Sequence, residues 1–463
     1  MSTPTAARPR AVLVGVQLPD VTDEAHASHL AELRRLVDTL GYETVATVSQ
    51  RRGGTGSGTV LGSGKLMELA RLTGGPGFVA SGAADRTSKA KERWEARAAE
   101  AAADVEPEPE DGDDDRDAGQ VVAGEPPRVV VVAHELSPSQ LRNLEKATGA
   151  TVLDRTGVIV DIFHRHARSR EARMQVEIAR LKYLAPRLRE SAGRSERQQG
   201  RGAGDSAVEL DRRKIRDRLA ELTAGLAAVE RDQDHRRHAR RDQLRVALVG
   251  YTNAGKSSLM RALTGSEVLV ADRLFATLDT TVRALQPESR PRVLVSDTVG
   301  FLRQLPHDLV ASFRSTLDEA LEASLLLYVV DASDPTFEAQ LEVTRTVLRD
   351  IGAAEVPNLL LLNKGDKVDA AARRALKERY PDAILLSAKA PGDVAALRQT
   401  ILDFFEAQMV EAELLVPYAS QGRVAEIYET ARVVSETFDE AGRHVRVRST
   451  PAAIAKLTRS FEA

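Results

Sequence analysis

Gly250, Tyr251, Thr252, Asn253, Ala254, Gly255, Lys256 and Ser257 form an unbroken run with the spacing G-x-x-x-x-G-K-S, and Ser258 follows. Such a run can wrap a chain of phosphates. Glycines let backbone N–H groups close on the oxygens, the lysine reaches the terminal phosphates, and the hydroxyl takes one place around Mg²⁺. Residues 245–249 before the run are β-rich and apolar, and helix formers follow it. The loop therefore joins a strand to a helix, whose N-terminus adds a positive field. Lys256 is assigned to the β- and γ-phosphates and Ser257 to Mg²⁺.

A phosphate loop alone does not separate adenine from guanine. Asn363, Lys364, Gly365 and Asp366 follow a second apolar run at 358–362. A carboxylate there can accept from both guanine N1–H and the exocyclic amine, a donor pair that adenine lacks. Ser387, Ala388 and Lys389 follow a further strand pattern at 383–386, where a backbone amide can bind guanine O6. Asp297, Thr298, Val299 and Gly300 end the run 293–295. Asp297 is expected to hold Mg²⁺ through water, and the Gly300 amide to sense the γ-phosphate. Phe275, Ala276, Thr277, Leu278, Asp279, Thr280 and Thr281 lie between. Thr277 is assigned as the further magnesium ligand, with Thr280 in reserve. These motifs predict a Mg²⁺-dependent hydrolase of GTP, with GDP as the bound product.

The residue after Gly300 is Phe301, where many such enzymes place a glutamine that orients water. A phenyl ring cannot do this by hydrogen bonding. Another side chain, a monovalent cation or a partner must contribute. Asn253 carries two readings: its amide oxygen helps hold K⁺ against the phosphates, or it only shapes the loop. Lys256, Asn253 and Gly300 are thus the candidate catalytic residues.

The rest of the chain must position these groups. It has 463 residues, too many for one core. It contains no cysteine, which excludes disulfides, thiolate metal sites and a cysteine nucleophile. No stretch approaches the roughly 18 apolar residues of a membrane helix, and the N-terminus lacks a signal-peptide core. A cytoplasmic protein without membrane contact is expected. Net charge is −3, yet 104–117 is almost wholly acidic, and 164–218 holds 16 Lys/Arg against 8 Asp/Glu. Such a basic excess suits a nucleic-acid contact or a solvated helix surface.

Four parts are expected. Residues 1–163 alternate strand and helix patterns as a small α/β domain, interrupted at about 81–127 by an acidic, apolar-poor insert that is read as disordered. Residues 164–243 form a helical hairpin: Met174, Ile178, Leu181, Ala185 and Leu188 repeat a 4-3-4-3 spacing, as do Ile215, Leu219, Leu222, Leu226 and Val229. Its Gly/Arg-rich tip spans 193–204, and Pro186 is expected to kink or end the first helix. Residues 244–411 make an α/β P-loop domain with a mainly parallel sheet. Residues 412–463 make a small α+β domain, read as a strand at 416–418, a helix at 423–434, a strand at 444–447 and a helix from Pro451.

With these motifs in view, nearly the whole chain resembles the HflX GTPases of the Obg–HflX superfamily. The resemblance rests on GYTNAGKSSLMRALTG, FATLDTTVR and DTVGFLRQLPHDLVASFRSTLDEA in the P-loop part. Upstream it rests on DRTGVIVDIFHRHARSREARMQVEIARLKYLAPRL, and on GSGKLMEL at 62–69. Where the family has GxRGPGE, this chain has Gly200 to Ser206 without the proline and with Asp205 for Glu. The resemblance implies binding to the large (50S) ribosomal subunit and its 23S rRNA by a protein that is a monomer when free. It also implies GTP-driven splitting or rescue of stalled or idle ribosomes, with a role in assembly. An RNA-remodelling chaperone, driven by ATP or GTP, is the alternative.

Overall fold

The computed structural model describes residues 8–56, 58–79, 125–192, 207–238, 243–266, 274–275, 280–303 and 314–462. Most of the acidic insert, the hairpin tip, and Ala276, Thr277, Leu278 and Asp279 lie outside the described residues. The chain divides into two compact units, cut between Val158 and Ile159.

The first unit runs β1 (Arg10–Gln17), α1 (Asp23–Thr39), β2 (Glu43–Arg51), α2 (Ser63–Thr73), β3 (Val129–Val132), α3 (Pro138–Thr148) and β4 (Thr151–Asp154), then enters α4 (Arg155–His166). All pairings are parallel, in the order β2-β1-β3-β4. Strand β3 reads Val-Val-Val-Val and is buried throughout, as a strand covered on both faces must be. Local signals set the helix ends. Thr22 caps α1 by accepting from the Ala25 amide, and Ser137 and Gln140 form a capping box ahead of Pro138. Asp154 accepts from the Leu136 and Gly157 amides at 3.2 and 2.8 Å and so fixes the corner into α4. Glu32 and Arg155 form an ion pair buried beside that corner.

The second unit holds a helical hairpin, a six-stranded sheet and a three-stranded sheet. Helices α5 (Arg170–Ala192) and α6 (Ala207–His238) run antiparallel. Glu177 accepts two bonds from Arg218 at 2.8 and 3.1 Å, and Met174 lies beside Gly225. The seam expected on α6 is present: Leu222 is buried, and Ile215, Leu219, Leu226 and Val229 are half-buried among exposed neighbours. Pro186 lies inside α5, which continues to Ala192, so it does not end the helix.

The central sheet contains β5 (Leu244–Gly250), β6 (Thr281–Ala284), β7 (Val293–Asp297), β8 (Leu325–Asp331), β9 (Asn358–Asn363) and β10 (Ile384–Leu385), in the order β10-β9-β8-β5-β7-β6. Only β6 is antiparallel, at the edge. Helices α7 (Lys256–Thr264), α8 (Arg314–Leu321), α9 (Phe337–Asp350), α10 (Ala370–Arg379) and α11 (Pro391–Glu406) cover it. Alternation along β5 feeds two cores. Val246 and Leu248 pack with Leu259, Leu397 and Phe405, while Ala247 and Val249 pack with Leu326, Tyr328 and Leu341. A doubly covered parallel sheet places its ligand loops at the strand carboxyl ends.

The last part contains β11 (Val410–Val416), α12 (Val424–Thr430), β12 (Arg432–Phe438), β13 (Arg443–Ser449) and α13 (Pro451–Glu462), with antiparallel order β11-β13-β12. The helix expected over 423–434 stops at Thr430. Val433, Val434 and Thr437 favour extended chain, and pairing of β12 with β13 overrides the helical pattern. Tyr428 and Arg443 both hydrogen-bond Glu436, tying α12 to the new strand.

Candidate functional site

Strand β5 delivers the loop 250–255 to the N-terminus of α7. The cap of α7 is Gly255, with φ +97° and no side-chain hydrogen bond to the first amides. A side chain there would meet a second obstacle, because a Cβ would stand 2.2 Å from Asn363 Nδ2. The uncapped amides of α7 make an anion-binding end. Asn253 adopts φ +61°, a left-handed conformation that asparagine tolerates.

Lys256 is buried, and its ammonium donates to the Gly250 and Tyr251 carbonyls at 3.0 and 2.9 Å. Burial lowers its pKa to about 8, against the opposing pull of Asp297. Ser257 Oγ donates to Asp297 Oδ2 at 2.7 Å, and Asp297 is fully buried at the end of β7. A hydroxyl and a carboxylate so close together form an oxygen set suited to a hard divalent cation. Ser258 occupies the next position of the same helix, partly exposed.

The segment Asp297–Gly300 returns to the loop. Thr298 Oγ1 donates to the Leu248 carbonyl at 2.7 Å, and Val299 is buried. Phe301 then pairs with the phosphate loop as if adding one step to the sheet. Its amide donates to Gly250 O at 3.1 Å, and its carbonyl accepts from the Thr252 amide at 2.8 Å. Gly300 has no room for a side chain, since a Cβ would stand 2.8 Å from Thr252 Cα and 2.9 Å from Lys256 Nζ. The Phe301 ring is buried in the core that also holds Ala247 and Val249. Its side chain is therefore structural. Tyr251 is buried too, and its hydroxyl accepts from the Arg303 amide at 2.9 Å.

The loop after β9 is bonded to the phosphate loop. Asn363 Nδ2 donates to Ala254 O at 2.9 Å while its Oδ1 accepts from the Ala388 amide at 3.1 Å. Lys364, at φ +60°, donates from Nζ to Asn253 O at 2.8 Å and to Asp331 Oδ2 at 2.7 Å. Asp366 accepts from Ser387 Oγ at 2.7 Å, and this bond holds its carboxyl below the usual carboxylate range. The Lys389 amide donates to Ser387 Oγ at 3.2 Å, and the Ser387 amide donates to Asp393 at 2.8 Å. Four of the clusters singled out from sequence, 250–257, 297–300, 363–366 and 387–389, thus meet at the carboxyl ends of β5, β7, β9 and β10.

Asp331 and Asp393 were not singled out by motif reading. Asp331 closes the apolar run of β8 at a strand carboxyl end, and Asp393 lies in the first turn of α11; those two positions were the available signals. Phe275 is buried with φ +56° and packs on Phe163 of α4. Thr280 lies immediately before β6, and the four residues between are outside the described set.

A doubly covered sheet with a G-x-x-x-x-G-K-S loop at its centre, D-x-x-G beside it and N-K-x-D bonded to it defines a P-loop GTPase. Family profiles match in order along the chain: a GTP-binding GTPase N-terminal region at 27–77 and 116–164, a GTP-binding GTPase middle region at 166–240, and a 50S ribosome-binding GTPase at 245–364. The GTPase HflX of Gluconacetobacter diazotrophicus is 69% identical over 455 residues, covering 98% of each chain. The GTPase HflX of Escherichia coli is 40% identical over 323 residues, covering 68% of this chain and 76% of that one. Among solved structures, a GTP-binding protein from Sulfolobus solfataricus in complex with GDP gives a TM-score of 0.42 at 22% identity, over 85% of this chain and 98% of that one. The chain belongs to the HflX family of GTPases.

Proposed function

We propose that this GTPase engages the large ribosomal subunit and uses its nucleotide cycle to split or rescue stalled or idle ribosomes, with a further part in ribosome assembly. One observation carries the switch reading. The N-K-x-D side chains bond directly to the phosphate-loop carbonyls of Asn253 and Ala254, so base reading and phosphate binding occur on one body. Asp366 then reads the guanine N1–H edge, with Ser387 holding its carboxylate, and a backbone amide of the segment 387–389 serves O6. Asn363 and Lys364 brace the loop, whose amides from Asn253 to Ser258 face the phosphates.

Ser257 and Asp297 present the oxygen set that suits Mg²⁺, Asp297 acting through water, and Thr277 is the further ligand proposed from the segment that Phe275 opens. Mg²⁺ bound there neutralises charge on the β- and γ-phosphate oxygens. Lys256 supplies a fixed positive charge to the same oxygens, and the Gly300 amide senses the γ-phosphate. K⁺ beside Asn253 is a second proposed contributor.

Ribosome engagement is supported by the family profile over 245–364 and by the basic excess along the hairpin segment, which suits rRNA phosphates. The chain acts in the cytoplasm and is a monomer when free. Among the described residues no helix is long and apolar enough to cross a membrane.

Sedimentation of 70S ribosomes with the protein and GTP, or with a non-hydrolysable analogue, tests this. Dissociation into subunits supports it. Binding to 50S particles without splitting restricts the role to assembly. Strand unwinding by the N-terminal half alone favours RNA remodelling instead.

A further inference from the structure

The Gly300 residue is buried, and among the described residues its amide donates to no protein group. A buried N–H without a partner is rare, and this one adjoins the phosphate loop. A glycine has no side chain to fix its own direction, so the bonds on either side must do it. Before Gly300, Thr298 Oγ1 donates to Leu248 O at 2.7 Å. After it, Phe301 donates to Gly250 O at 3.1 Å and accepts from the Thr252 amide at 2.8 Å, which makes an isolated parallel bridge with Tyr251.

The next fastening comes from a side chain. Tyr251 Oη accepts from the Arg303 amide at 2.9 Å. Tyr251 belongs to the phosphate loop and is buried, and Arg303 lies three residues beyond Gly300. The ring thus reaches past the Phe301 bridge, and its hydroxyl extends the pairing by one bond. Phenylalanine would supply the same ring without that acceptor. The bond to Arg303 is therefore what the hydroxyl adds.

We propose that Tyr251 is a positioning residue, whose hydroxyl holds the 300–303 backbone on the phosphate loop and so presets the Gly300 N–H for the γ-phosphate of GTP. The inference rests on the reading of Gly300 as the γ-phosphate sensor. GDP lacks that phosphate and makes no use of the fastening. With the bond in place, the segment is ordered before GTP arrives. Without it, GTP itself must order the segment, and its affinity falls while that of GDP does not. The N–H is then also less well aligned with the γ-phosphoryl oxygens as their charge shifts during hydrolysis.

The test uses Tyr251→Phe in the full-length protein. Affinities for GDP and for the non-hydrolysable analogue GMPPNP are measured, together with single-turnover hydrolysis at saturating GTP. GMPPNP affinity should fall about three- to tenfold, as loss of one neutral hydrogen bond allows, and hydrolysis about tenfold. GDP affinity should stay within about twofold. GMPPNP affinity and hydrolysis at wild-type levels overturn the proposal. So does an equal loss of GMPPNP and GDP affinity, which marks a purely structural bond. Gly300→Ala checks the reading beneath, because its Cβ would stand 2.8 Å from Thr252 Cα and displace the segment. Loss of GMPPNP preference in Gly300→Ala but not in Tyr251→Phe overturns the role of Tyr251 alone. Full GMPPNP preference in Gly300→Ala overturns the sensor reading, and the proposal with it.

Discussion

The Phe275 ring meets the Phe163 ring edge-on, with centroids 4.5 Å apart and planes at 75°. Both are buried, Phe163 on α4 and Phe275 in the segment that leads to Thr277. Phe275 holds φ +56°, a costly conformation for an aromatic residue, which tertiary contact must sustain. A segment expected to sense nucleotide is thus anchored on a helix outside the central sheet.

That pair should behave as a unit. Phe163→Ala and Phe275→Ala should each destabilise the protein by about 3–5 kcal/mol through lost burial and cavity formation. The double variant should lose less than the sum, by about 0.5–1.5 kcal/mol. Chemical denaturation of the four proteins with GDP bound measures this. Strict additivity would show that the rings do not cooperate.

Lys256 gives a pH prediction. Its pKa falls from 10.5 in the unfolded chain to about 8 in the fold, because burial disfavours the ammonium. Between those values the unfolded chain binds more protons, so nucleotide-free stability contributed by this group rises as pH climbs from about 8 towards 10.5. Lys256→Met should remove that rise. Denaturation midpoints at pH 7.5, 8.5 and 9.5, compared between the two proteins, test it; parallel curves would contradict it. Phosphate binding should draw the proton back, so GDP binding at pH 9 should take up protons.

Base choice should reside in Asp366. Asp366→Asn should weaken GTP by at least about 100-fold and improve xanthosine triphosphate, whose ring carries a complementary carbonyl. Ser387→Ala should cost less, about 1–3 kcal/mol of GTP affinity, because it removes only the hydrogen bond that holds the carboxylate. Unchanged GTP affinity in Asp366→Asn would refute the guanine-reader assignment.

Asn253 separates two readings by the cation used. If its amide helps to hold K⁺, hydrolysis in K⁺ buffer should exceed that in Na⁺ buffer several-fold, and Asn253→Ala should abolish the difference. Equal rates in both salts would leave Asn253 a loop-shaping residue only.

Much of the site was legible because its residues come as short runs at fixed spacing. Gly250 to Ser257, Asp297 to Gly300 and Asn363 to Asp366 each sit at a strand end that apolar runs announce. Cross-connections were not legible. Nothing local says that Lys364 reaches Asn253, or that Ser387 holds Asp366, because those contacts span 111 and 21 positions. Phe301 could be read as unable to orient water, but its burial could not. In the fold, β5, β8 and β9 stood out as continuous apolar runs. Strand β6, a short antiparallel edge of Thr, Val, Arg and Ala, did not. The start of β12, residues 432–434, reads as helix in sequence because the support for the strand comes from β13, outside its own window.

GTP hydrolysis measured with and without purified 50S subunits tests the central reading most directly, with Lys256→Ala as the inactive control. The expected result is slow turnover alone, an increase of at least about tenfold with 50S subunits, and no turnover by Lys256→Ala in either case. Hydrolysis that 50S subunits leave unchanged, or that survives in Lys256→Ala, would contradict it.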